Sequence, residues 1–480
     1  MSEPVFRRLN PLTIAVEFVR VIQRLIFPLL LFLFSTHDGT ELIVQIFGGL
    51  VVVSAIARYL SFQFAVHDGH LIIRSGIIVR NNRTIPLSKI QNINIEKNII
   101  HRLLGLVDIK IETAAGRHAE ASISALSEAE AAALKVELTQ GVQHEVESTE
   151  PKAARGRIVY KITPMELILA GATENRIFAI VGAVMGGSYL FQDRLTEVMK
   201  NVLPSEGGSW TNALIAGFLL LLVGWLFSIV HAVVTYANFE LSLENGRLRR
   251  HYGLLNQIES VVPLPRVQLA RTTETVFQRM LSLCKLYVET AGSYEKKDMG
   301  GSSLVSPLLE NDRLKEIGQT IMPDRGIGYD KWTRVSAQAI RINFQKTLIA
   351  YAVIVALSSL YFGTRAFWAL IPLAVYALLV AWIHYRTTGY EDRRTLLATR
   401  HGVFSRQTYY VPTERIQSVK WKQSPLQRHL KVASVTINTA AVGAGSFAPV
   451  DNIETERAES LALSLHKRSC ETASISGEVL

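Results

Sequence analysis

The stretch from Gly402 to Ala440 decides the fold, and it reads GVFSRQTYYVPTERIQSVKWKQSPLQRHLKVASVTINTA. It contains a glycine ten residues before a proline, and then a glutamine five, an arginine sixteen and a Thr-Ala pair twenty-seven residues after that proline. The same landmarks recur at the same spacing in two upstream copies, which begin at Gly76 and Gly253. Self-similarity at fixed internal spacing indicates a repeated structural unit, so the sequence predicts one module that is used three times.

Apolar segments precede each module. The chain has 480 residues, of which 49% are hydrophobic and 19% charged, and the hydrophobic excess is concentrated in blocks. The segment Ala213 to Val234 has 22 residues without a formal charge, enough to cross a bilayer as a helix. With this segment, six apolar stretches form three predicted hairpins: Leu25 to Phe34, Leu42 to Ala57, Ile177 to Phe191, Ala213 to Val234, Leu348 to Phe362 and Ala366 to Ile383. The composition and the blocks together predict a membrane protein.

The charge distribution predicts the orientation. An even number of spans between modules places all three modules and both termini on one side. If the short connectors lie outside, they hold only Arg194, Lys200 and Arg365, and the other 48 of the 51 basic residues lie inside. Cytoplasmic segments carry the excess of Lys and Arg, so we expect cytoplasmic modules in the inner membrane of a bacterium. Glu17 interrupts the first apolar run and no small-residue cleavage site follows, so we expect this segment to remain as an anchor.

Within a module, the local patterns predict short strands followed by one helix. His67 to Arg74, Ile77 to Pro86 and Val107 to Thr113 have the character of strands. Leu126 to Leu138 has a helical pattern, with Ser127 as N-cap and Glu130 completing a capping box. Pro307 to Ile321 and Asn452 to His466 end the other copies in the same way. A small antiparallel sheet closed by a C-terminal helix fits all three copies.

The repeated motif resembles a known family. The string Pro-x-x-[Lys/Arg]-[Ile/Val]-Gln occurs at residues 86–91, 263–268 and 412–417, and residues 424–440 look like the signature stretch of bacterial PH-like membrane proteins, the second bacterial PH class. The whole chain is similar to the triple-repeat members of that family, the YdbT-like proteins. The resemblance implies an α+β fold with about six transmembrane helices in three hairpins. It also implies three PH-like barrels, each with seven strands in two near-orthogonal sheets and a capping C-terminal helix.

These patterns divide the chain into eight parts. We expect a first transmembrane hairpin (1–60), PH-like domain 1 (61–140), a linker (141–164), a second hairpin (165–236), PH-like domain 2 (237–325), a linker with the third hairpin (326–385), PH-like domain 3 (386–470) and a tail (471–480).

The repeated cations are the candidate interaction residues. Arg102, Arg279 and Arg428 are equivalent, and each either pairs within the fold or contacts a lipid phosphate or an acidic partner. The equivalent residues Lys89, Arg266 and Arg415 leave the same two alternatives open.

The third module is the basic one. Residues 386–470 carry thirteen basic and seven acidic side chains, whereas the corresponding numbers are nine and eight for 61–140 and twelve and eleven for 237–325. Lys420, Trp421, Lys422 and Lys431 join Arg428 in a basic stretch that either contacts anionic headgroups or is simply a solvated face.

Motifs for catalysis are absent from the sequence. It contains no P-loop, no H-E-x-x-H and no G-x-S-x-G, and Cys284 and Cys470 have no metal-ligand spacing. We therefore predict no cofactor, no metal and no enzymatic activity. The favoured function is a platform for protein–protein interaction whose partners are membrane lipids and either a single-module PH-like membrane protein or further copies of this chain. The alternative is lipid or small-molecule transport through the hairpins, gated by the modules. Nucleic-acid binding is not expected, because the cations lack a recognised binding fold.

Overall fold

The computed structural model of the chain forms two compact units, Met1–Val261 and Val262–Leu480. It describes residues 5–18, 40–76, 80–97, 99–113, 121–140, 157–174, 209–290, 303–323, 325–328, 331–363, 367–368, 370–441 and 447–475. Each unit is described by itself below.

The first unit holds module one and the first half of module two. Module one consists of helix α1 (Thr40–Ser61), strands β1 (Arg7–Arg8), β2 (Gln63–His67), β3 (His70–Ser75), β4 (Asn81–Pro86), β5 (Ile90–Lys97), helix α2 (Ile99–Leu104), strands β6 (Leu106–Thr113) and β7 (Ala121–Ser127), and helix α3 (Glu128–Gln140). The half of module two consists of β8 (Arg157–Lys161), α4 (Pro164–Ala172), α5 (Ser209–Tyr236), β9 (Glu240–Glu244), β10 (Arg247–Tyr252) and β11 (Gln257–Pro263).

The second unit repeats this order. It contains β12 (Val267–Thr275), α6 (Val276–Met280), β13 (Leu283–Thr290), β14 (Ser303–Glu310) and α7 (Asn311–Ile321), which complete module two. Module three consists of β15 (Thr333–Arg334), α8 (Gln338–Phe362), α9 (Leu370–Thr387), β16 (Gly389–Asp392), β17 (Leu396–His401), β18 (Ser405–Pro412), β19 (Ile416–Lys422), α10 (Pro425–His429), β20 (Val432–Thr439), β21 (Phe447–Glu454) and α11 (Thr455–Ile475). Each module therefore has seven described strands and a C-terminal helix.

The strands form four antiparallel sheets. In the first unit, β1-β2-β3-β4 is one sheet and β7-β6-β5-β11-β10-β9-β8 is the other. In the second unit, the sheets are β14-β13-β12-β18-β17-β16-β15 and β19-β20-β21. Both seven-stranded sheets combine three strands of one module with four strands of the next.

The cores of modules one and three join both sheets to the C-terminal helix. In module one, Ile73 of β3, Ile109 of β6 and Leu134 of α3 belong to one buried cluster. In module three, Val411, Ile437 and Leu465 take the corresponding places. Their apolar positions alternate along the strands, so one face of each sheet is removed from water, as the period of a pleated strand requires. Truncating such a buried Leu or Ile to Ala costs about 2–5 kcal/mol.

Closed barrels are not supported, because none of the four sheets in the described residues is closed. An edge strand with unpaired N–H and C=O groups needs a partner, and closure into a barrel is only one way to provide it. Here β5 pairs with β11 and β12 pairs with β18, both from the following module. The strand edges of modules one and two that would pair within a closed barrel pair instead with a strand of the next module.

The count of six spans is not supported either. The described residues contain three helices long and apolar enough to cross a membrane: Leu214–Tyr236, Gln338–Ser359 and Leu370–Thr387. The predicted segment Leu42 to Ala57 falls within α1, of which the stretch Val52–Ser61 is apolar but shorter than a span. The remaining two predicted segments, at 25–34 and 177–191, lie outside the described residues.

The capping box of module one is confirmed, and the helix starts are corrected. The Ser127 backbone N–H donates to Glu130 Oε2 at 2.9 Å, and the Glu130 N–H donates to Ser127 Oγ at 3.2 Å. The helix begins at Glu128 and not at Leu126, because Leu126 still belongs to β7. Likewise Pro307 and Asn452 belong to strands β14 and β21, so α7 and α11 begin several residues later than predicted.

Candidate interaction surface

Modules are joined by antiparallel strand pairing in one repeated register. In the first joint, Lys97 of β5 lies opposite Gln257 of β11. In the second joint, Glu274 of β12 lies opposite Arg406 of β18. Lys97 and Glu274 both stand eleven residues after their module's proline, and Gln257 and Arg406 both stand six residues before theirs. Equivalent residues are therefore paired in the two joints.

A second contact accompanies each strand pair. Arg102 Nη1 donates to the carbonyl of Leu254 at 3.2 Å, and Arg279 Nη2 donates to the carbonyl of Val403 at 2.6 Å. Both acceptors directly follow the repeated glycine of the next module. Burial lowers the pKa of Arg279, and the charge of Arg406 lowers it further while Glu274 opposes the shift. A hydrogen bond from a charged donor contributes about 1.5–3 kcal/mol, so the arginine strengthens the joint.

The turn that supplies this carbonyl requires glycine. Gly253 and Gly402 both have φ near +107°, and a Cβ would lie 1.9 Å from Asn256 O in the first turn and 2.2 Å from Ser405 O in the second. No side chain fits there, and positive φ is unfavourable for any residue with a Cβ. The repeated glycine therefore has a steric cause.

These turns are attached to the ends of membrane-spanning helices. Gly253 N–H donates to the Ala237 carbonyl, directly after α5, at 2.8 Å. In module three, Thr387 at the end of α9 donates its hydroxyl to the Gly402 carbonyl at 2.9 Å. The joints thus lie next to the ends of α5 and α9.

The second set of repeated cations lies in short 3-10 turns. Arg415 Nη2 donates to the Pro265 carbonyl at 2.8 Å, so it also links module three to module two. Arg266 is exposed in its own turn, Leu264–Arg266. Lys89 lies in the turn Leu87–Lys89, and its side chain is outside the described part of the chain. Arg102, Arg279 and Arg415 therefore pair within the fold, the first of the two alternatives.

A buried ion pair supports the second joint from inside. Arg271 of β12 lies 3.3 Å from Glu289 of β13, and the Glu289 side chain is fully buried. The Arg271 guanidinium also stacks over the Tyr287 ring, 4.8 Å from its centroid. Alongside it, Arg406 of β18 forms an ion pair with Glu274. The cations of both paired strands, Arg271 and Arg406, therefore each have a carboxylate as partner.

The equivalent edge of module three is exposed. In the part of the chain that the structure describes, β19 pairs only with β20. Lys420, Trp421 and Lys422 are exposed along this strand. Ser469 of α11 donates to the Ile416 carbonyl at 2.8 Å, which fixes the beginning of the strand. The structure therefore brings three of the predicted residues together on one open edge.

Arg428 and Lys431 lie next to this edge, in and after the short helix α10. The Arg428 side chain is exposed and forms no hydrogen bond with any residue that the structure describes. Lys431 has φ of +53°, as Gly105 and Ser282 have positive φ at the equivalent positions. Its backbone therefore reverses the chain before β20, while its side chain is exposed.

Sequence reasoning missed the acceptors. The repeat placed Arg102, Arg279 and Arg428 in register, but main-chain carbonyls carry no residue signature, so Leu254 and Val403 were not candidates. The buried pair of Arg271 and Glu289 was missed as well. A usable signal was the constant distance of the arginine and the turn glycine from the same proline.

The surface of the open edge consists of main-chain hydrogen-bonding groups and cations. In the described residues, no group of three His, Cys, Asp or Glu side chains gathers as metal ligands do. Cys284 is buried and Cys470 exposed, both as free thiols, and burial raises the pKa of Cys284. What the surface offers is a strand edge and four cations.

Comparison with known proteins gives the relationship. The bacterial PH domain family matches residues 18–142, 177–323 and 346–469. The chain is also similar to a curated protein of Bacillus subtilis (strain 168), the UPF0699 transmembrane protein YdbT, with 23% identity over 467 residues that cover 91% of this chain and 92% of the relative. No solved structure matches.

Proposed function

Because the chain belongs to the bacterial PH domain family, we propose that this membrane protein is a non-enzymatic binding platform. It presents three PH-like modules at the cytoplasmic face of the inner membrane for protein–protein interaction. The fold alone does not select a ligand, so the proposal depends on the surface that the modules offer.

The observation that carries the proposal is the construction of the joints. In each joint, one module binds the next by adding a strand to a sheet edge, as the pairs β5 with β11 and β12 with β18 illustrate. Strand addition is a common mode of protein recognition, in which main-chain hydrogen bonds supply affinity and side chains supply specificity. A chain that already uses this mode twice internally has the means to use it with another protein.

The cytoplasmic orientation is supported by cations at the module ends of the helices. Arg386 lies in the last turn of α9 and stacks over Trp382, with its guanidinium carbon 5.2 Å from the ring centroid. Arg58 lies in the last turn of α1 and pairs with Glu17 at 3.0 Å. Basic residues at a helix end favour the cytoplasmic side, and aromatic residues mark a membrane interface on either side.

Reporter fusions test the orientation. Fusions after positions 145, 200, 325 and 478 should report the cytoplasm, except for position 200, which should report the outside. A periplasmic signal from position 325 would contradict the proposed topology.

Affinity purification tests the platform itself. The full chain is purified in mild detergent, and co-purifying proteins are quantified by mass spectrometry. We expect at least one reproducible protein partner whose recovery falls when surface cations are reversed, for example in Arg428→Glu, while membrane insertion is unchanged. Glu459→Lys on the exposed side of α11 is the matched control. Recovery of no specific protein, or equal recovery across a panel of surface variants, would contradict the proposal.

A further inference from the structure

The chemistry of the open edge of module three indicates what binds there. We propose that β19 and Arg428 bind the edge strand of a PH-like module in another membrane-anchored chain, one that carries acidic side chains opposite Lys420 and Lys422. This inference rests on the proposed function and names the class of its partner.

The edge of module three has the geometry of the two internal joints. Both internal joints combine the same strand register with an arginine that donates to the carbonyl after a turn glycine. In module three, β19 is the equivalent of β5 and β12, and Arg428 is the equivalent of Arg102 and Arg279. Both parts of the joint are present and exposed, and among the described residues no strand occupies them. The edge is therefore half of a joint that the same chain completes twice elsewhere.

The edge of module three differs from the second joint in its charge. Lys420 is the equivalent of Arg271, but Asn438 stands where module two has the buried Glu289. Asn438 donates to Ser418 Oγ at 2.9 Å and cannot neutralise a cation. Residues 416–431 contain no Asp or Glu. The positive charge of this edge therefore has no compensation of the kind found in the second joint, and a strand with carboxylates would supply it.

Charge disfavours the obvious occupant, a second copy of this chain. Its β4 is the equivalent of β11 and β18, and in the described residues β4 pairs only with β3. In the register of the two joints, Arg83 of β4 would lie opposite Lys420, and Asn81 opposite Lys422. Like charges directly opposite each other are destabilising. In this register a second copy would therefore place one cation against Lys420 and no carboxylate against Lys422.

Lysines on an edge strand also hinder indiscriminate strand addition. Repulsion of basic edges and attraction of an acidic one are two results of the same charges, and specificity commonly combines both.

The position of the joints requires a partner that is anchored in the membrane. In both joints, the accepting turn is attached to a membrane-spanning helix, through Gly253 to Ala237 and through Gly402 to Thr387. A partner that offers the same turn to Arg428 needs its own helix at the same side. The partner is therefore a PH-like module with its own membrane anchor.

A charge-swap experiment with two differently tagged full-length copies tests the edge with a defined probe. One copy carries Trp421→Cys and the other Asn82→Cys, which are opposite each other in the joint register. Both carry Cys470→Ser, which removes the exposed native thiol. The second copy has either its native β4 or an acidic one with Asn81→Glu and Arg83→Glu. Both are co-expressed, and a short bifunctional thiol reagent traps pairs in the membrane.

We expect the acidic β4 to raise the crosslinked fraction at least about fivefold over the native β4, because it makes two favourable charge contacts and one of them replaces a like-charge contact. Lys420→Glu with Lys422→Glu should reverse the preference, so that the native β4 crosslinks better. Arg428→Ala should lower trapping of the acidic edge about tenfold, the loss of one charged hydrogen bond. Equal trapping of both edges, or no trapping in any combination, would overturn the proposal. Unchanged elution of each variant in size-exclusion chromatography verifies that it is folded.

A photo-crosslinking amino acid at Trp421 then seeks the occupant in the cells from which the protein comes. We expect the crosslinked peptide to lie shortly after a glycine turn in a bacterial PH module, with Asp or Glu opposite Lys420. A crosslink to residues 81–84 of a second copy would overturn the choice of partner. The charge-swap experiment needs no cellular partner, so a negative result contradicts binding at β19 but not the proposed platform function, which could use another surface. The absence of any cellular partner contradicts the platform function and not the charge preference of β19.

Discussion

Strands β12 and β19 occupy the same position in modules two and three, yet one is covered and the other is exposed. Most residues of β12 are buried, whereas Ile416 is the one fully buried residue of β19. β12 pairs with β18 and places its cation, Arg271, against Glu289. β19 places Lys420 in solvent. One backbone edge thus serves as an internal joint or as an external surface, and the side chains around it decide which.

Removing the carboxylate of the covered edge is expected to have the largest effect. Glu289→Ala leaves Arg271 buried without its ion-pair partner, which should lower the free energy of unfolding of the second unit by about 3–5 kcal/mol. Asn438→Ala is the matched change at the exposed edge, where the loss of one neutral hydrogen bond to Ser418 should cost about 0.5–1.5 kcal/mol. Urea unfolding in detergent, followed by tryptophan fluorescence, measures both. Similar losses in the two variants would remove the distinction between the edges.

Adding a side chain at the turn glycine is expected to have the second-largest effect on stability. Gly402→Ala places a Cβ against Ser405 O in a backbone with φ of +107°, so we expect destabilisation by about 2–3 kcal/mol and a weakened contact to Arg279. Gly217→Ala in α5 meets nothing within 4 Å and should be neutral or slightly stabilising. Thermal unfolding of the two variants in the same detergent is the measurement. A tolerated alanine at 402 would argue against the steric account of the turn.

The two equivalent arginines sharpen the comparison. Arg279→Ala removes the hydrogen bond to Val403 and should cost about 2 kcal/mol, the range for a charged donor. Arg428→Ala removes an exposed side chain and should change the free energy of unfolding by less than about 0.5 kcal/mol. Parallel urea titrations with unchanged slopes test this. Equal effects would mean that Arg428 already takes part in the fold.

Acidification should affect the covered edge through His401, whose ring stacks on Tyr409 of β18 with centroids 5.6 Å apart. Burial lowers the pKa of His401 from its ordinary 6.5, and Asp451 opposes the shift. The unfolded chain binds a proton at this histidine more readily than the folded chain does. Neutral His401 therefore contributes its full share to the free energy of unfolding above pH 6.5, and this share is lost as the pH falls through the lowered pKa. His401→Asn should flatten this part of the pH dependence between pH 7 and 5. An unchanged slope would exclude His401 as its source.

Much of the module could be predicted from the sequence, because strands, turns and caps are local. The Ser127 capping box and the turn glycines follow from residue types at fixed spacing. The assembly of the modules could not be predicted in this way, since any edge strand offers the same main-chain groups to any other strand. Nothing in the pattern of β12 says that β18 is its neighbour. The relevant information is in opposed pairs such as Glu274 and Arg406, which become recognisable only once the register is known.

The candidate residues show the same limit. Arg102, Arg279 and Arg428 look alike in sequence, but only the first two contact a following module in the described residues. Position in the repeat, and not residue type, separates the structural arginines from the exposed one.

The short passage from membrane helix to sheet has a consequence for how partners meet. Helices α5 and α9 end at residues 236 and 387, and the next strands begin at residues 240 and 389. Connections of so few residues hold modules two and three at a set height above the ends of these helices. An anchored protein built in the same way carries its own edge at that height, so the encounter becomes a search in two dimensions. Confinement of this kind raises the effective concentration, and an edge of modest affinity is then enough.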